Sequence, residues 1–379
     1  MRRVAAALAA LAVVVAGAGA HADGEPARAA PQPCDQVPEP ARWSDAGQPD
    51  RGLDRAVLAA HRGAAELAPE NTLWAFRYAI AYDVELIEVD VQQTADHRYV
   101  AFHDYDVERR TDGRGLVPLM TFEQVRALNA ADNDRWRGSA YDPAQIPSLE
   151  EVLALASEHG VGVMLDLKES VTDTASVALM TERYGLVEES LFLPYVPGRA
   201  EQIKAAVPGA RMMLSNQFFE PLPPDGAPRG AFYALSAEYD AFGSSLPGFD
   251  AERIAEAHDG CALVVPNVYQ GEVTGSEAGD LLHARALGAD GAQVDNPDVA
   301  VAVLGRPVAT TVAVRPDGAP LACLLDAEHR QGLPGKPLHV AGRTETTGVG
   351  GCVPLPAHPV GRIVYGGDDS ATGSSAEDA

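Results

Sequence analysis

From Ala56 onward, short runs of apolar and β-branched residues alternate with longer stretches whose apolar positions recur every three to four residues. The short runs predict strands at Val57–Ala60, Leu86–Val91, Tyr99–Phe102, Val161–Leu167, Leu191–Val196, Arg211–Leu214, Phe232–Leu235, Ala262–Val265 and Ala292–Val294. The longer stretches carry helix signals. Leu73, Phe76 and Ile80 keep the three-then-four spacing of an apolar helix face. Thr121-Phe122-Glu123-Gln124 and Ser148-Leu149-Glu150-Glu151 both fit a capping box, in which hydroxyl and N3 side chain satisfy each other's orphan N–H groups. Ser276 to Leu287 reads as a helix closed by Gly288, where a left-handed cap is expected. Strand and helix alternating over about 250 residues predict a parallel α/β fold, with a (β/α)8 TIM barrel leading. Nine candidates for eight strands make one of them a loop or an extra strand.

After Gly305 the helical periods stop. Val308–Val314, Leu338–Ala341 and Arg362–Tyr365 are strand-like and separated by turn signals such as Pro316-Asp317-Gly318, which predicts a small all-β domain over 306–379. Its end, Gly366 to Ala379, is acidic without Lys or Arg, and the far end of that stretch is expected to be a solvated, flexible terminus. At the other end, Arg2 and Arg3, the apolar run Val4 to Ala20 and Ala20-His21-Ala22 have the layout of a secretory signal peptide, residues 1–22. Residues 23–52 read as an N-terminal arm and 53–305 as the barrel. The expectation is a secreted, extracellular protein without an integral membrane segment, and a monomer.

Composition narrows the partners. The 379 residues include 29 Lys and Arg against 54 Asp and Glu, a formal net charge of −25, so nucleic acid and anionic surfaces are repelled. An anionic substrate would need local positive charge. The cysteines beyond residue 22, Cys34, Cys261, Cys323 and Cys352, lack metal-ligand spacing, and an oxidising compartment favours disulfides. Cys323–Cys352 is the favoured bridge because both lie in the small C-terminal region, with Cys34–Cys261 the weaker guess.

The chemistry lies in carboxylates on predicted strands. Glu88 and Asp90 are two residues apart, so both point to one face, and Asp166 and Lys168 repeat that geometry. Charges turned into a barrel need partners, and carboxylate oxygens suit Mg²⁺ or Ca²⁺. A solvated pair at a strand end explains the spacing of Glu88 and Asp90 equally well. His61 and His103 each follow a predicted strand, and the C-terminal strand ends of a barrel form its active face. Two imidazoles beside one metal suit general acid and base.

Taken in order, His61-Arg62-Gly63, Pro69-Glu70-Asn71-Thr72, Glu88-x-Asp90, His103-Asp104, Arg110-Thr111, Ile146-Pro147-Ser148-Leu149-Glu150, Asp166-x-Lys168, Gly288-Ala289-Asp290-Gly291 and Asp295-Asn296-Pro297 resemble the glycerophosphodiester phosphodiesterase family. The resemblance implies a TIM barrel of the phospholipase-C-like phosphodiesterase type that cleaves a small glycerophosphodiester into an alcohol and glycerol 3-phosphate. It implies His61 and His103 as the acid–base pair and Glu88, Asp90 and Asp166 as ligands of one divalent cation. It further implies Arg62 and Lys168 on phosphate oxygens, with Glu70 and Asn71 shaping the substrate site. Extracellular setting and a flexible carboxylate site favour Ca²⁺ over Mg²⁺. Two departures stand out: Asp166 replaces the family's usual Glu, and Val264-Val265-Pro266-Asn267 stands where the family tends to carry Trp-Thr.

The C-terminal region resembles, more loosely, bacterial immunoglobulin-like repeats through Gly335-Lys336-Pro337-Leu338-His339-Val340 and Ile363-Val364-Tyr365-Gly366-Gly367-Asp368. An Ig-like β-sandwich there would suit contact with the cell envelope. The alternatives are lysophospholipase D or phosphatidylinositol-type phospholipase C activity on the same barrel, or a catalytically inactive envelope-binding scaffold.

Overall fold

The computed structural model describes residues 56–196, 198–215, 241–243, 245–259, 262–306, 308–315, 321–328, 330–340, 343–355, 362–368 and 370–377. Eight parallel strands form one sheet: β1 (Val57–Ala60), β2 (Leu86–Gln93), β4 (Gly162–Leu167), β5 (Leu191–Pro194), β6 (Arg211–Ser215), β7 (Ala241–Gly243), β8 (Leu263–Val264) and β9 (Gly291–Val294). Their order is β8-β7-β6-β5-β4-β2-β1-β9. A parallel bridge between Asn267 and Gln293, with Gln293 N–H donating to the Pro266 carbonyl at 2.9 Å, joins the two ends and closes the cylinder. Where β9 lies beside β1 a small residue is needed: a Cβ on Gly291 would lie 2.1 Å from the Val57 carbonyl oxygen.

The helices α1 (Leu73–Ala81), α2 (Phe122–Arg126), α3 (Leu149–His159), α4 (Thr174–Arg183), α5 (Arg199–Ala206), α6 (Ala251–Asp259), α7 (Glu277–Leu287) and α8 (Pro297–Val303) lie between the strands. Both predicted capping boxes form, at Thr121 and Ser148, and Gly288 takes the left-handed cap of α7 with φ 100°. Phe76 and Ile80 on α1 are fully buried.

Of the nine predicted strands, the extra one is β3 (Tyr99–Ala101). It pairs antiparallel with the upper part of β2 and is no barrel stave. The Phe232–Leu235 run lies outside the described residues. The sixth stave, Ala241–Gly243, is absent from the sequence reading because three residues are too few to show a period.

Alternation along the staves sorts the barrel interior into levels. Val57, Ala59, Leu86, Met164, Leu191, Leu193, Met213 and Val265 pack together as an apolar plug within the barrel. One or two inward steps further along the same strands come His61, Glu88, Asp90, Asp166, Lys168, Tyr195, Asn267 and Gln293. The change from apolar to polar along each inward row is what sets a cavity over a solid floor.

Residues beyond the barrel build two antiparallel sheets: β10 (Thr310–Arg315), β11 (Leu321–Asp326) and β14 (Cys352–Pro354) in one, and β12 (Pro337–Val340), β13 (Arg343–Thr346), β15 (Arg362–Tyr365) and β16 (Ser374–Glu377) in the other. Cys323 and Cys352 face each other across β11 and β14 and are bonded; the Cys34–Cys261 pairing lies outside the described residues. The acidic tail departs from expectation. Ser374–Glu377 pairs with Arg362–Tyr365, and Asp368 is ion-paired to Lys336 at 3.0 Å, so those residues belong to a sheet. The charge pattern suggested solvent because it does not reveal a partner 32 positions upstream. Arg306 ties this region to the barrel through Glu85 at 2.7 Å and the carbonyls of Ala56 and Asp83. Among the described residues no helix is long and apolar enough to cross a membrane.

Candidate active site

Three carboxylates from two neighbouring staves meet at the barrel mouth. Asp90 and Asp166 are register partners on β2 and β4, and Glu88 lies one inward step below Asp90. One ligand oxygen from each of Glu88, Asp90 and Asp166 lies within 4.8 Å of the others, and all three residues are buried. Lys168 Nζ bridges Asp90 at 2.7 Å and Asp166 at 2.9 Å, while Arg62 Nε lies 3.2 Å from Asp90. Three buried negative charges thus face two positive ones.

The electrostatics follow from that imbalance. Burial first, then repulsion from Asp90 and Asp166, pushes the Glu88 carboxyl well above the usual range. Burial, with Asp90 beside it, also raises Asp166 despite Lys168. For Asp90 burial is outweighed by Lys168 and Arg62, which hold it far down. Asp166 Oδ1 is buried with no hydrogen-bond partner, the other oxygen accepting from Tyr195 and Lys168. A surplus negative charge, an orphaned carboxylate oxygen and an all-oxygen donor set fit a hard divalent cation.

Arg62 and Asn71 both adopt left-handed backbone, φ 54° and 55°. This turns the Arg62 N–H onto Glu88 at 2.7 Å and lets Asn71 hold Asp90 twice, donating from Nδ2 and accepting from the Asp90 N–H. Gly63, φ 80°, lets α1 approach, since a Cβ there would sit 2.6 Å from Ala75 backbone. Asn71 and Lys168 therefore stand behind the carboxylates, spent on holding them, and Glu70 bridges Arg62 and Arg110. The open cavity, about 300 Å³, is lined by His61, Arg62, Glu88, Asp90, His103 and Asp166, with Leu193, Tyr195, Asn267, Tyr269 and Gln293 completing the wall.

The two histidines arrive by different routes. His61 continues the inward row of Val57 and Ala59. Its Nδ1 meets Asp295 Oδ1 at 2.8 Å and its ring stacks on Tyr269, centroids 4.0 Å apart and planes 3° from parallel. Burial, then Arg62, lowers its pKa, so the neutral ring is favoured, with Nδ1–H donating to Asp295 and Nε2 left over. The Asp295 turn is held by Glu277 at the start of α7, which accepts from the N–H groups of Asp295 and Asn296. Burial pushes that Glu277 carboxyl up to about 7.

His103 does not sit at a stave end, as the strand pattern suggested. It follows β3, which runs back down toward the mouth, and Phe102 N–H donates to the Asp90 carbonyl at 2.9 Å. Gln92, turned away from the cavity and fully buried, donates to the carbonyls of Phe102, His103 and Asp104 and clamps the turn. His103 Nδ1 meets Asp104 Oδ1 at 2.7 Å, and Asp104 is gripped by Arg109 and Arg110. Burial of Asp104 is outweighed by hydrogen bonds from His103 and Arg109, so it stays ionised.

All nine residues singled out from the sequence thus lie in or directly behind this one cavity. Missed were Asp295, Gln92, Tyr195, Gln293 and Glu277. Tyr195 continues the inward row of Leu191 and Leu193 and was open to the alternation argument; Asp295 appeared only within a motif.

Residues 61–188 match the model of the glycerophosphoryl diester phosphodiesterase family. The matched segment holds both histidines and all three carboxylates. The chain is 40% identical over 147 residues to glycerophosphodiester phosphodiesterase 1 of Mus musculus, 38% of this chain and 44% of that protein. It is 34% identical over 117 residues to glycerophosphodiester phosphodiesterase of Caldanaerobacter subterraneus, 31% of this chain and 47% of that one. The chain thus spans about half the length of the curated relatives it matches. A crystal structure of glycerophosphodiester phosphodiesterase from Agrobacterium tumefaciens superposes with TM-score 0.53 at 22% identity, covering 65% of this chain and 99% of that one. An Oleispira antarctica phosphodiesterase in complex with the product sn-glycerol-3-phosphate gives 0.55 at 22%, covering 65% and 96%. These two likenesses establish the barrel fold.

Proposed function

We propose that the protein is a metal-dependent glycerophosphodiester phosphodiesterase releasing glycerol 3-phosphate and an alcohol. The observation that carries this reading is one cavity holding Glu88, Asp90 and Asp166 as a cation cradle, with a carboxylate-oriented imbalanced pair of imidazoles, His61 and His103, on its wall. Glu88, Asp90 and Asp166 would hold the cation, and oxygen-only ligands in an extracellular setting favour Ca²⁺ over Mg²⁺. Bound there, it would supply Lewis acidity and neutralise phosphodiester charge.

The remaining work falls to side chains. Arg62, on the cavity wall, orients a phosphate oxygen while Lys168 holds Asp90 and Asp166 aligned. His61, kept neutral by burial, takes the proton of the attacking hydroxyl at Nε2. His103, the more exposed imidazole, protonates the leaving alkoxide. Each Nδ1–H is anchored on a carboxylate, which fixes ring orientation through the proton transfers.

Secretion belongs to the same proposal and rests on the leader-like residues 1–22 and on a disulfide that suits an oxidising compartment. The two C-terminal sheets are read as an Ig-like domain serving envelope contact.

The test is glycerol 3-phosphate release from glycerophosphocholine after EDTA treatment and after Ca²⁺ or Mg²⁺ is restored. Metal-restored release is expected, with His61→Ala and His103→Ala each lowering turnover by about 10²–10⁴ while melting normally. Near-wild-type turnover in either variant would sink the acid–base assignment.

A further inference from the structure

The cavity has two unlike walls. Around the cylinder β8 lies four staves from β4, and β9 four from β5, so Asn267 stands across the mouth from Asp166 and Gln293 across from Tyr195. The Asp166 side is charged. The opposite side carries two neutral carboxamides, adjacent to each other because Asn267 and Gln293 are partners in the bridge that closes the barrel.

These carboxamides are short of partners. Asn267 is 6% exposed and Gln293 5%, and both line the cavity. The Asn267 amide nitrogen donates to the Tyr269 hydroxyl at 3.3 Å, while Oδ1 is buried with no partner. The Gln293 carboxamide has no hydrogen-bond partner among the described residues. The backbone does not absorb them either: Gln293 N–H is bonded to Pro266 and its carbonyl to Val268 N–H. A buried amide left open costs free energy unless something fills it. Tyr269, which Asn267 touches, is stacked on His61, so a group bonded to Asn267 lies one ring away from the imidazole.

We propose that Asn267 and Gln293 form a hydroxyl-reading subsite that takes an alcohol arm of the phosphodiester bearing two adjacent hydroxyls. The subsite rests on the phosphodiesterase reading of the same cavity. A hydroxyl donates and accepts at once, so it satisfies a carboxamide whichever way round the amide is set. Two carboxamides side by side match two adjacent hydroxyls. A quaternary ammonium arm offers no donor and leaves both amides unsatisfied, and a cationic arm with donors is drawn to the carboxylate wall. The polyol arm therefore lies against Asn267 and Gln293 and the other arm leaves toward His103.

Calorimetry on the full chain with Ca²⁺ compares sn-glycerol 3-phosphate with n-propyl phosphate, which differ only in two hydroxyls. The wild type is expected to bind the hydroxylated ligand about 10- to 100-fold tighter, the range for buried groups left unpaired. Asn267→Leu and, separately, Gln293→Leu should each move that ratio toward one. If Asn267→Leu does not fold, Gln293→Leu and the wild-type ratio still decide. Equal binding of the two ligands by the wild type, or an undiminished ratio in a folded variant, would overturn the subsite. Because the readout is binding, the two readings separate. A retained ratio without turnover removes the phosphodiesterase reading and leaves the subsite, whereas turnover with a ratio of one removes only the subsite. No binding of either ligand overturns both.

Discussion

Two lysines, one in the barrel and one in the C-terminal sheets, are buried to nearly the same depth, Lys168 at 6% exposure and Lys336 at 7%. Their surroundings differ in kind. Lys336 reaches Asp368 at 3.0 Å and the Ser370 hydroxyl, lies 5.5 Å from the centre of the Tyr82 ring, and closes a neutral arrangement. Lys168 lies between Asp90 and Asp166 with Glu88 beyond, and even with Arg62 the sum stays negative. Burial drives a charged group toward neutrality unless its partners balance it. A buried cluster that remains unbalanced is therefore a place where a ligand completes the arithmetic, and a balanced one is a fastening.

Several measurements would break or sharpen that contrast. The largest effect is expected from Lys168→Met, which strands two buried carboxylates and should cost about 3–5 kcal/mol in denaturant unfolding. The lost stability should be partly restored by divalent cation, because the ion substitutes for the missing charge. Next, Asp166→Asn should weaken divalent-ion binding in calorimetry by roughly 100-fold, whereas Asp368→Asn should leave it unchanged. Equal ion affinity in Asp166→Asn and wild type would remove the distinction between the two clusters. Lys336→Met should cost less, about 1–3 kcal/mol, since Asp368 is 36% exposed and can turn to water, with glycerophosphodiester turnover retained.

The smallest effect concerns a balanced pair that titrates. His258 Nε2 lies 2.9 Å from Asp290, and although burial lowers its pKa, the hydrogen bond it donates to Asp290 wins and holds it above the ordinary 6.5. A raised folded value means stability fully present below 6.5 and lost as pH climbs through the folded pKa. The melting temperature should fall modestly from pH 6 to pH 9, and His258→Gln should flatten that slope. An identical slope in the variant would show that the pair contributes nothing measurable.

The charged cluster was legible because alternation along a strand is a strict rule. Glu88 with Asp90 and Asp166 with Lys168 share a face whatever the rest of the chain does. The other wall was not. Asn267 follows a stave only two residues long, and Gln293 sits in Gly291–Val294, so neither row is long enough to announce its direction. His103 reaches the cavity by a different path from the one expected, since strand pattern alone does not tell a stave from an antiparallel return. Lys168 was read as holding phosphate oxygens and Asn71 as shaping the substrate site. Their side chains are instead consumed by Asp90 and Asp166, which spacing does not reveal. The Lys336–Asp368 pair stayed hidden for the same reason: a contact between distant residues leaves no local mark.

The seam between β8 and β9 has a consequence for assembly in time. His61 and Asp295 are 234 positions apart, and they meet because β9 docks beside β1. Glu88, Asp90, Asp166 and both imidazoles lie within residues 61–188, yet the carboxylate that steadies His61 and the two amides of the far wall come from the last staves. Contacts so remote in sequence form late, because the chain entropy of bringing them together must be overcome first. During synthesis the stretch that carries the acid triad therefore emerges long before the staves that supply Asp295 and the two amides, and the two walls of the cavity meet only when the cylinder shuts.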